Sequence, residues 1–401
     1  MSEPQRVPTD EDLQTAAWLT RNVEDALPAD ALAVQLARAR ETGEPLRCKL
    51  GLDPTAPDIH LGHTVVLQKL RELQDAGHHV VLLIGDMTAR VGDPSGRDST
   101  RPVLSDAAID ANAATYQEQA FKVLDPARVE VVRNSEWLDM PTAQLFALLR
   151  TTTVAQLLER DDFSKRFAAG RPITVLELLY PMMQAYDSVA IRADIELGGT
   201  DQKFNLLLGR DMQRAYGQRQ QSILTMPILP GLDGERKMSK SLGNQIGVRD
   251  EPDDMYGKLL SIPDAAMGQY YDLLLGEPMP AQASPRDAKH ALARRLVERF
   301  HDPAAAEAAA SAFERVFVAK ALPEEIPIVE IAAGQAHLPA VLGAAFGESR
   351  SAARRLLAQG AVRCDGAVLA AEPLDVPALE LDGRVLQLGK RRFARLRVGA
   401  S

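Results

Sequence analysis

Cysteine is almost missing: Cys48 and Cys364 stand alone near opposite ends of a 401-residue chain, with no C-x-x-C pair. A disulfide framework and a cysteine-built zinc site are both set aside. Long apolar runs are missing too, none exceeding that from Val80 to Ile84, far short of the ~20 residues that span a bilayer. The opening stretch M-S-E-P-Q-R-V-P-T-D-E-D has no basic segment followed by an apolar one, so no secretory leader is expected. Internal repeats are lacking. These absences point to a cytoplasmic, non-membrane protein.

What is there fits an ordinary globular chain, with 46% hydrophobic and 25% charged residues, long enough for two or three domains. The net charge of −9 is unevenly placed. Between Ser349 and Val398 lie ten Arg and Lys (Arg350, Arg354, Arg355, Arg363, Arg384, Lys390, Arg391, Arg392, Arg395, Arg397) against five acids, so this segment is +5 and the rest −14. An acidic body with a basic C-terminal part suggests an RNA-binding appendage on an enzyme.

The pattern of elements is α/β. Residues 13 to 41 read as helices interrupted near Pro28. Leu46 to Leu52 reads as a strand broken by Asp53-Pro54-Thr55, His63 to Ala76 as a helix ended by Gly77, and Val80 to Ile84 as a strand buried on both faces. Strand, helix and strand make a βαβ unit, and right-handed crossover puts both strands in one parallel sheet. Val129 to Val132, Ala190 to Leu197 and Ile223 to Leu229 are further strand candidates in a doubly wound core. Beyond Asp250 the pattern turns helical, including the alanine-rich Ala304 to Phe317, and Leu322 to Pro327 reads as a linker.

Three patterns carry chemistry. His60-Leu61-Gly62-His63 opens a helix, where free N–H groups and a partial positive charge favour an anion, and Gly62 lets a base or ribose approach the backbone. A pair of partly buried structural histidines is the plain alternative, and a metal pair lacks a third ligand at suitable spacing. Lys237-Met238-Ser239-Lys240-Ser241 follows a glycine-flanked loop and can neutralise charge growing on a departing pyrophosphate. Taken alone it is a surface lysine loop. Tyr180, Gln184 and Asp187 stand at i, i+4 and i+7, on one face of a helix, followed by Gly198-Gly199-Thr200-Asp201-Gln202.

The pairing of H-L-G-H with K-M-S-K-S resembles the signature of class I aminoacyl-tRNA synthetases. G-L-D-P-T-A-P-D-I-H-L-G-H, G-D-P-S-G-R, Y-P-M-M-Q-A-Y-D and G-G-T-D-Q resemble the tyrosyl-tRNA synthetase family in particular, and the C-terminal end is similar to an S4 RNA-binding domain. The resemblance implies a Rossmann-like, HUP-type catalytic domain over residues 1–245, with a connective insertion at about 139–173 and the KMSKS loop at about 230–245. A helical anticodon-arm domain and linker over 246–330 and a small α+β S4-like domain over 331–401 follow.

It also implies roles. Thr55, His60 and His63 meet the triphosphate near its reacting end, Gly62 and Asp201 hold the nucleoside, and Asp53 lies at the ATP site. Lys237 and Lys240, with Arg97 and Arg101 from a second loop, clamp pyrophosphate. Tyr180, Gln184 and Asp93 anchor the α-amino group, Gln202 orients the carboxylate, and Asp187 accepts the phenolic hydroxyl. Mg²⁺ arrives with ATP, and no dedicated metal site is implied. The partners are tRNA(Tyr) and a second copy of the chain, with Leu145, Phe146, Leu148 and Leu149 as interface candidates; a buried core helix fits these leucines equally. Lys49 departs from the pattern, since many tyrosyl enzymes carry a tyrosine there, and no role is carried over to it.

A site built to hydrogen-bond a hydroxyl rejects the analogue lacking it, a discrimination of which tyrosine-specific synthetases are themselves the standard example. No editing domain is then required. Three rivals stay open at this point. A tryptophanyl enzyme would need neither the S4-like tail nor an Asp187 set for a phenol, a simple nucleotidyltransferase would need no Lys237 loop, and an RNA-binding regulator on this fold would not need the histidines and lysines intact.

Overall fold

The computed structural model describes residues 6–94, 105–315, 326–389 and 392–399. It divides into two compact units, Met1–Ala306 and Glu307–Ser401. No helix among the described residues is long and apolar enough to cross a membrane.

The first unit opens with α1 (Asp10–Leu19), β1 (Asp25–Leu27) and α2 (Ala31–Thr42), then β2 (Arg47–Leu52), α3 (Leu61–Asp75) and β3 (His79–Ile84). The βαβ unit read from the sequence is present, with β2 and β3 parallel and in register from Arg47↔His79 to Leu52↔Ile84. After α4 (Asp86–Val91) and α5 (Asp106–Ala120) comes β4 (Val129–Arg133), followed by α6 (Ser135–Leu138), α7 (Thr142–Leu149), α8 (Val154–Leu157) and α9 (Asp161–Ala168). Then α10 (Val175–Ile191), β5 (Ile195–Gly199), α11 (Lys203–Ala215) and β6 (Ser222–Met226) complete the sheet region. The remainder of this part is helical: α12 (Pro252–Ser261), α13 (Met267–Tyr270) and α14 (Pro285–Phe300), after which α15 (Pro303–Phe313) begins and continues past Ala306 into the second unit.

The sheet runs β1-β6-β5-β2-β3-β4, parallel throughout except for the antiparallel edge β1. The chain winds outward from β2 through β3 and β4, then returns to the other side of β2 for β5 and β6. The order therefore reverses between β2 and β5, and a crevice outside the carboxyl ends of these strands is where such sheets bind ligands. The strand interiors are apolar on both faces, as a sheet covered by helices requires: Val80 to Leu82 are wholly buried, as are Ile223 and Leu224.

Three expectations need correcting. The candidate strand from Ala190 to Leu197 begins later, because α10 runs on to Ile191 and ends at Arg192, which takes the left-handed conformation with φ 54°. Ala190 and Ile191 prolong the helix rather than open the strand. Asp25–Leu27, which lies inside the stretch read as helices, pairs along β6 instead, its hydrogen bonds coming from the sheet edge rather than from any local pattern. The strand toward Leu229 stops at Met226, ahead of Pro227, which has no N–H for the ladder.

The second unit holds β7 (Ile328–Ile331), β8 (Gln335–His337), α16 (Leu338–Phe346), α17 (Arg350–Ala358), β9 (Val362–Cys364), β10 (Ala367–Val368), β11 (Asp375–Pro377), β12 (Val385–Leu388) and β13 (Arg392–Val398). Its five-stranded sheet runs β10-β9-β12-β13-β7. Leu342, Ala353, Val362, Leu386 and Leu396 form a core of their own. All eight described arginines of the basic segment are exposed, on α17, β9, β13 and the turn at Arg384.

Candidate active site

A cavity of about 280 Å³ opens at the carboxyl ends of β2 and β5, where the sheet reverses its order. It is lined by Asp53, Thr55, His60, Gly62, His63, Asp93, Tyr180, Gln184, Asp187, Asp201, Gln202 and Lys237. Almost the whole predicted constellation thus shares one space. Lys240 does not line it. Arg97 and Arg101 lie outside the described residues.

At the deep side is Asp187, only 1% exposed. Trp137 Nε1 donates to its Oδ1 at 2.8 Å and Asn134 Nδ2 to its Oδ2 at 3.3 Å. Burial disfavours its ionised form and pushes its pKa up to about 7, while the Lys49 ammonium and the Trp137 and Asn134 donors pull the other way. Neither Trp137 nor Asn134 was anticipated. Both sit just past the carboxyl end of β4, and that position in an open parallel sheet was the signal available.

From Asn134 a chain of hydrogen bonds crosses the site. Asn134 Nδ2 donates to Thr88 Oγ1 at 3.0 Å, Thr88 Oγ1 to Asp53 Oδ1 at 2.7 Å, and Tyr180 Oη to Asp53 Oδ2 at 2.8 Å. Gly85 makes room for this chain: a Cβ there would stand 2.1 Å from Asp53 Oδ1 and 2.4 Å from Thr88 Oγ1. Burial, with the Asp53 and Asp93 carboxylates nearby, holds the Tyr180 phenol protonated far above neutral pH.

A second network orients the amides and the second carboxylate. Asn205 Nδ2 donates to Gln184 Oε1 at 2.7 Å and to Gln202 Oε1 at 3.1 Å, while Gln202 Nε2 donates to Asp93 Oδ2 at 2.9 Å. Asp93 Oδ1 accepts from Arg160 Nη2 at 3.2 Å, and Arg160, 5% exposed, also pairs with Asp162. Arg160 and Asn205 were not foreseen either. Arg160 lies in the segment expected to be a connective insertion.

At the start of α3 the His60 and His63 rings lie 3.9 Å apart. The His60 backbone N–H donates to His63 Nδ1 at 3.2 Å. That bond makes Nδ1 the acceptor, so the neutral ring carries its hydrogen on Nε2. Burial, then the neighbouring ring and the Lys237 ammonium, lowers the His60 pKa to about 2; burial first and Lys237 second lowers that of His63 to about 4. Both are neutral hydrogen-bond donors near pH 7. A Cβ on Gly62 would meet the His60 ring at 3.0 Å and Met238 Cβ at 3.6 Å, so the K-M-S-K-S loop packs directly against this helix start.

Two lysines of that loop hold carboxylates. Lys237 Nζ pairs with Asp201 Oδ2 at the rim of the cavity, and Lys240 Nζ pairs with Asp58 Oδ2 at 2.9 Å, two residues ahead of His60. Lys240 is therefore beside the helix start but turned away from the cavity lining. Among the described residues no group of three or more His, Cys, Asp or Glu could hold a metal ion.

This geometry can receive a small amphiphile against a buried carboxylate and an anion against neutral histidines and a lysine. Comparison with known proteins places it. The family model described as tRNA synthetases class I (W and Y) matches residues 41–318. The tyrosine–tRNA ligase of Moorella thermoacetica is 51% identical, covering 94% of each chain, and that of Bordetella pertussis is 51% identical, covering 99% of this chain and 100% of its own. Among solved structures, a C-terminally truncated mitochondrial tyrosyl-tRNA synthetase of Aspergillus nidulans shares the fold at a TM-score of 0.61 with 23% identity, covering 76% of this chain and 94% of that one. The tyrosyl-tRNA synthetase of Archaeoglobus fulgidus complexed with L-tyrosine gives 0.58 with 25% identity, covering 75% of this chain and 99% of that one. With half its residues shared over nearly its full length, and a site assembled from the residues such chemistry calls for, the chain belongs to the tyrosine–tRNA ligase family of class I tRNA synthetases.

Proposed function

We propose that the chain activates L-tyrosine with ATP, giving tyrosyl-adenylate and pyrophosphate, and then transfers tyrosine to the 3′ end of tRNA(Tyr). One observation carries this reading: a buried carboxylate, Asp187, shares a single cavity with His60, His63 and Lys237. A phenol finds its acceptor there and a triphosphate its donors.

The tyrosine carboxylate is already an anion and attacks the α-phosphate without a side-chain base. The work of the protein is positioning and stabilising developing charge. Asp187 accepts the phenolic O–H; Tyr180, Gln184 and Asp93 receive the α-amino group; Gln202 orients the carboxylate. Thr55, the His60 ring and the Nε2–H of His63 face the phosphates, Gly62 and Asp201 hold the nucleoside, and Asp53 lies between nucleotide and amino acid. Lys237 and, once the loop shifts, Lys240 exchange their carboxylate partners for pyrophosphate oxygens, with Arg97 and Arg101 assigned to the same clamp. Mg²⁺ enters as part of the substrate, on the ATP phosphates.

The surroundings support the partners. On α7, Leu148 is buried and Leu145 packs against the same core cluster, whereas Phe146 is 55% and Leu149 36% exposed. Phe146 and Leu149, with the exposed Phe167, are the residues through which a homodimer would form. The exposed arginines of the second unit suit an RNA backbone, and the whole reaction belongs in the cytoplasm. The test is pyrophosphate exchange with tyrosine, tryptophan and phenylalanine: exchange with tyrosine alone is expected, and a preference for tryptophan overturns the reading.

A further inference from the structure

Beneath the cavity lies a charged pair that the chemistry above leaves unused. Lys49 of β2 and Glu196 of β5 stand in register across the two strands where the sheet reverses its order, so their side chains leave the sheet on the same face. Lys49 is wholly buried and Glu196 is 2% exposed. The ammonium uses all three of its hydrogens: on Glu196 Oε1 at 2.7 Å, Ser188 Oγ at 3.0 Å and the Gln184 carbonyl at 3.4 Å. The other Glu196 oxygen accepts from Ser188 Oγ at 2.8 Å and from Gln221 Nε2. The packing leaves the cluster just enough room, since a Cβ on Gly209 of α11 would stand 2.9 Å from Gln221 Nε2, 3.2 Å from Ser188 Oγ and 3.3 Å from Glu196 Oε2.

Apolar residues of the same volume are commonly as stable as a buried ion pair, so stability alone does not account for two charges at this place. Position does. Lys49 lines the cavity, and its bonds to Gln184 and Ser188 fasten α10 on both sides of Asp187, one turn before and one residue after. After burial, the Lys49 charge is the strongest influence on Asp187 and favours the carboxylate, while Glu196 acts more weakly in the opposite sense. From α6 and the residue preceding it, Trp137 and Asn134 contribute only neutral donors.

We propose that Lys49, held in place by Glu196, is the positioning residue of the phenol site: it clamps the α10 turn that carries Asp187 and keeps Asp187 in the hydrogen-accepting form that separates a phenol from a plain phenyl ring. This role rests on Asp187 being the phenol acceptor.

Lys49→Met alone strips a buried carboxylate of its cation and endangers the fold, so full-length Glu196→Gln and Lys49→Met/Glu196→Gln are the variants to compare with the wild type. In pyrophosphate exchange, the acid limb of kcat/KM for tyrosine moves to lower pH in Glu196→Gln. In the double variant it moves to higher pH by about one unit, a loss of about tenfold near pH 6 that vanishes near pH 9. KM for ATP stays at the wild-type value in both. A double variant whose limb coincides with the wild type, or whose loss is the same at every pH, overturns the role of Lys49. Asp187→Asn separates the two levels: if it still prefers tyrosine over phenylalanine, the phenol site itself has been misread, whereas loss of that preference together with an unmoved limb refutes Lys49 alone.

Discussion

Tyr180 Oη donates to Asp53 Oδ2 at 2.8 Å across 127 residues of sequence, tying the helix of the proposed amino-acid pocket to the D-P-T turn of the proposed nucleotide site. Tyr180→Phe removes the donor and leaves a carboxylate oxygen in a half-buried place. A stability loss of about 1 kcal/mol is expected, read by urea denaturation, together with a fall of roughly tenfold in kcat/KM for tyrosine. An unchanged tyrosine dependence would remove Tyr180 from the pocket.

Asp187 places a strain on the fold that its proposed role as phenol acceptor accounts for. Its pKa rises from the ordinary Asp value near 4 in the unfolded chain to about 7 in the fold, so folding favours the protonated form. The destabilisation is absent below about pH 4, grows as pH rises toward 7 and is complete above it, on the order of 4 kcal/mol. Asp187→Asn should raise Tm at pH 8 and lose most of that gain by pH 4.5, while forfeiting the choice of tyrosine over phenylalanine. A Tm difference that does not vary with pH would show that the group is not buried as an acid.

The histidines should be silent in activity profiles. With pKa values lowered to about 2 and about 4, both are neutral from pH 5 to 9, so kcat at saturating tyrosine should show no limb assignable to imidazole in that range. His63→Gln keeps a donor and should retain more activity than His63→Ala; equal losses would argue against hydrogen bonding as the role of this ring.

The two loop lysines should act on the same step. Lys237→Ala removes a cavity cation and should slow adenylate formation by roughly tenfold or more while leaving tyrosine binding intact, measured by quenched flow and equilibrium dialysis. Lys240→Ala should slow the same step, because its ion pair with Asp58 is solvent-accessible and readily exchanged; the stability change should stay below about 1 kcal/mol. Loss of tyrosine binding in either variant would count against the clamp.

Ending the chain before residue 326 should leave pyrophosphate exchange unchanged and abolish tRNA charging at moderate salt, since the exposed arginines of the second unit go with it. Full charging by the shortened chain would refute an RNA-binding role for that unit.

Much of this could be read from residue order alone where the signal is local. The β-branched run of β3, the breaker after β2 and the helical spacing of Tyr180, Gln184 and Asp187 all depend on neighbours within a turn or two. What escaped depends on closure. Trp137 and Asn134 reach Asp187 across about fifty positions, and Lys49 meets Glu196 only because β2 and β5, far apart in sequence, lie side by side. The three-residue β1 is set by the sheet edge it caps, and the direction in which Lys240 turns is set by Asp58.

Asn205 holds the oxygen ends of Gln184 and Gln202 with one nitrogen. A half-turn of either glutamine amide would press nitrogen against nitrogen, so neither can flip while the other stays. Two side chains from different elements are thereby locked in a common sense, and an aspartate at position 205 would invite both to reverse together, bringing the oxygen of Gln202 against the carboxylate of Asp93.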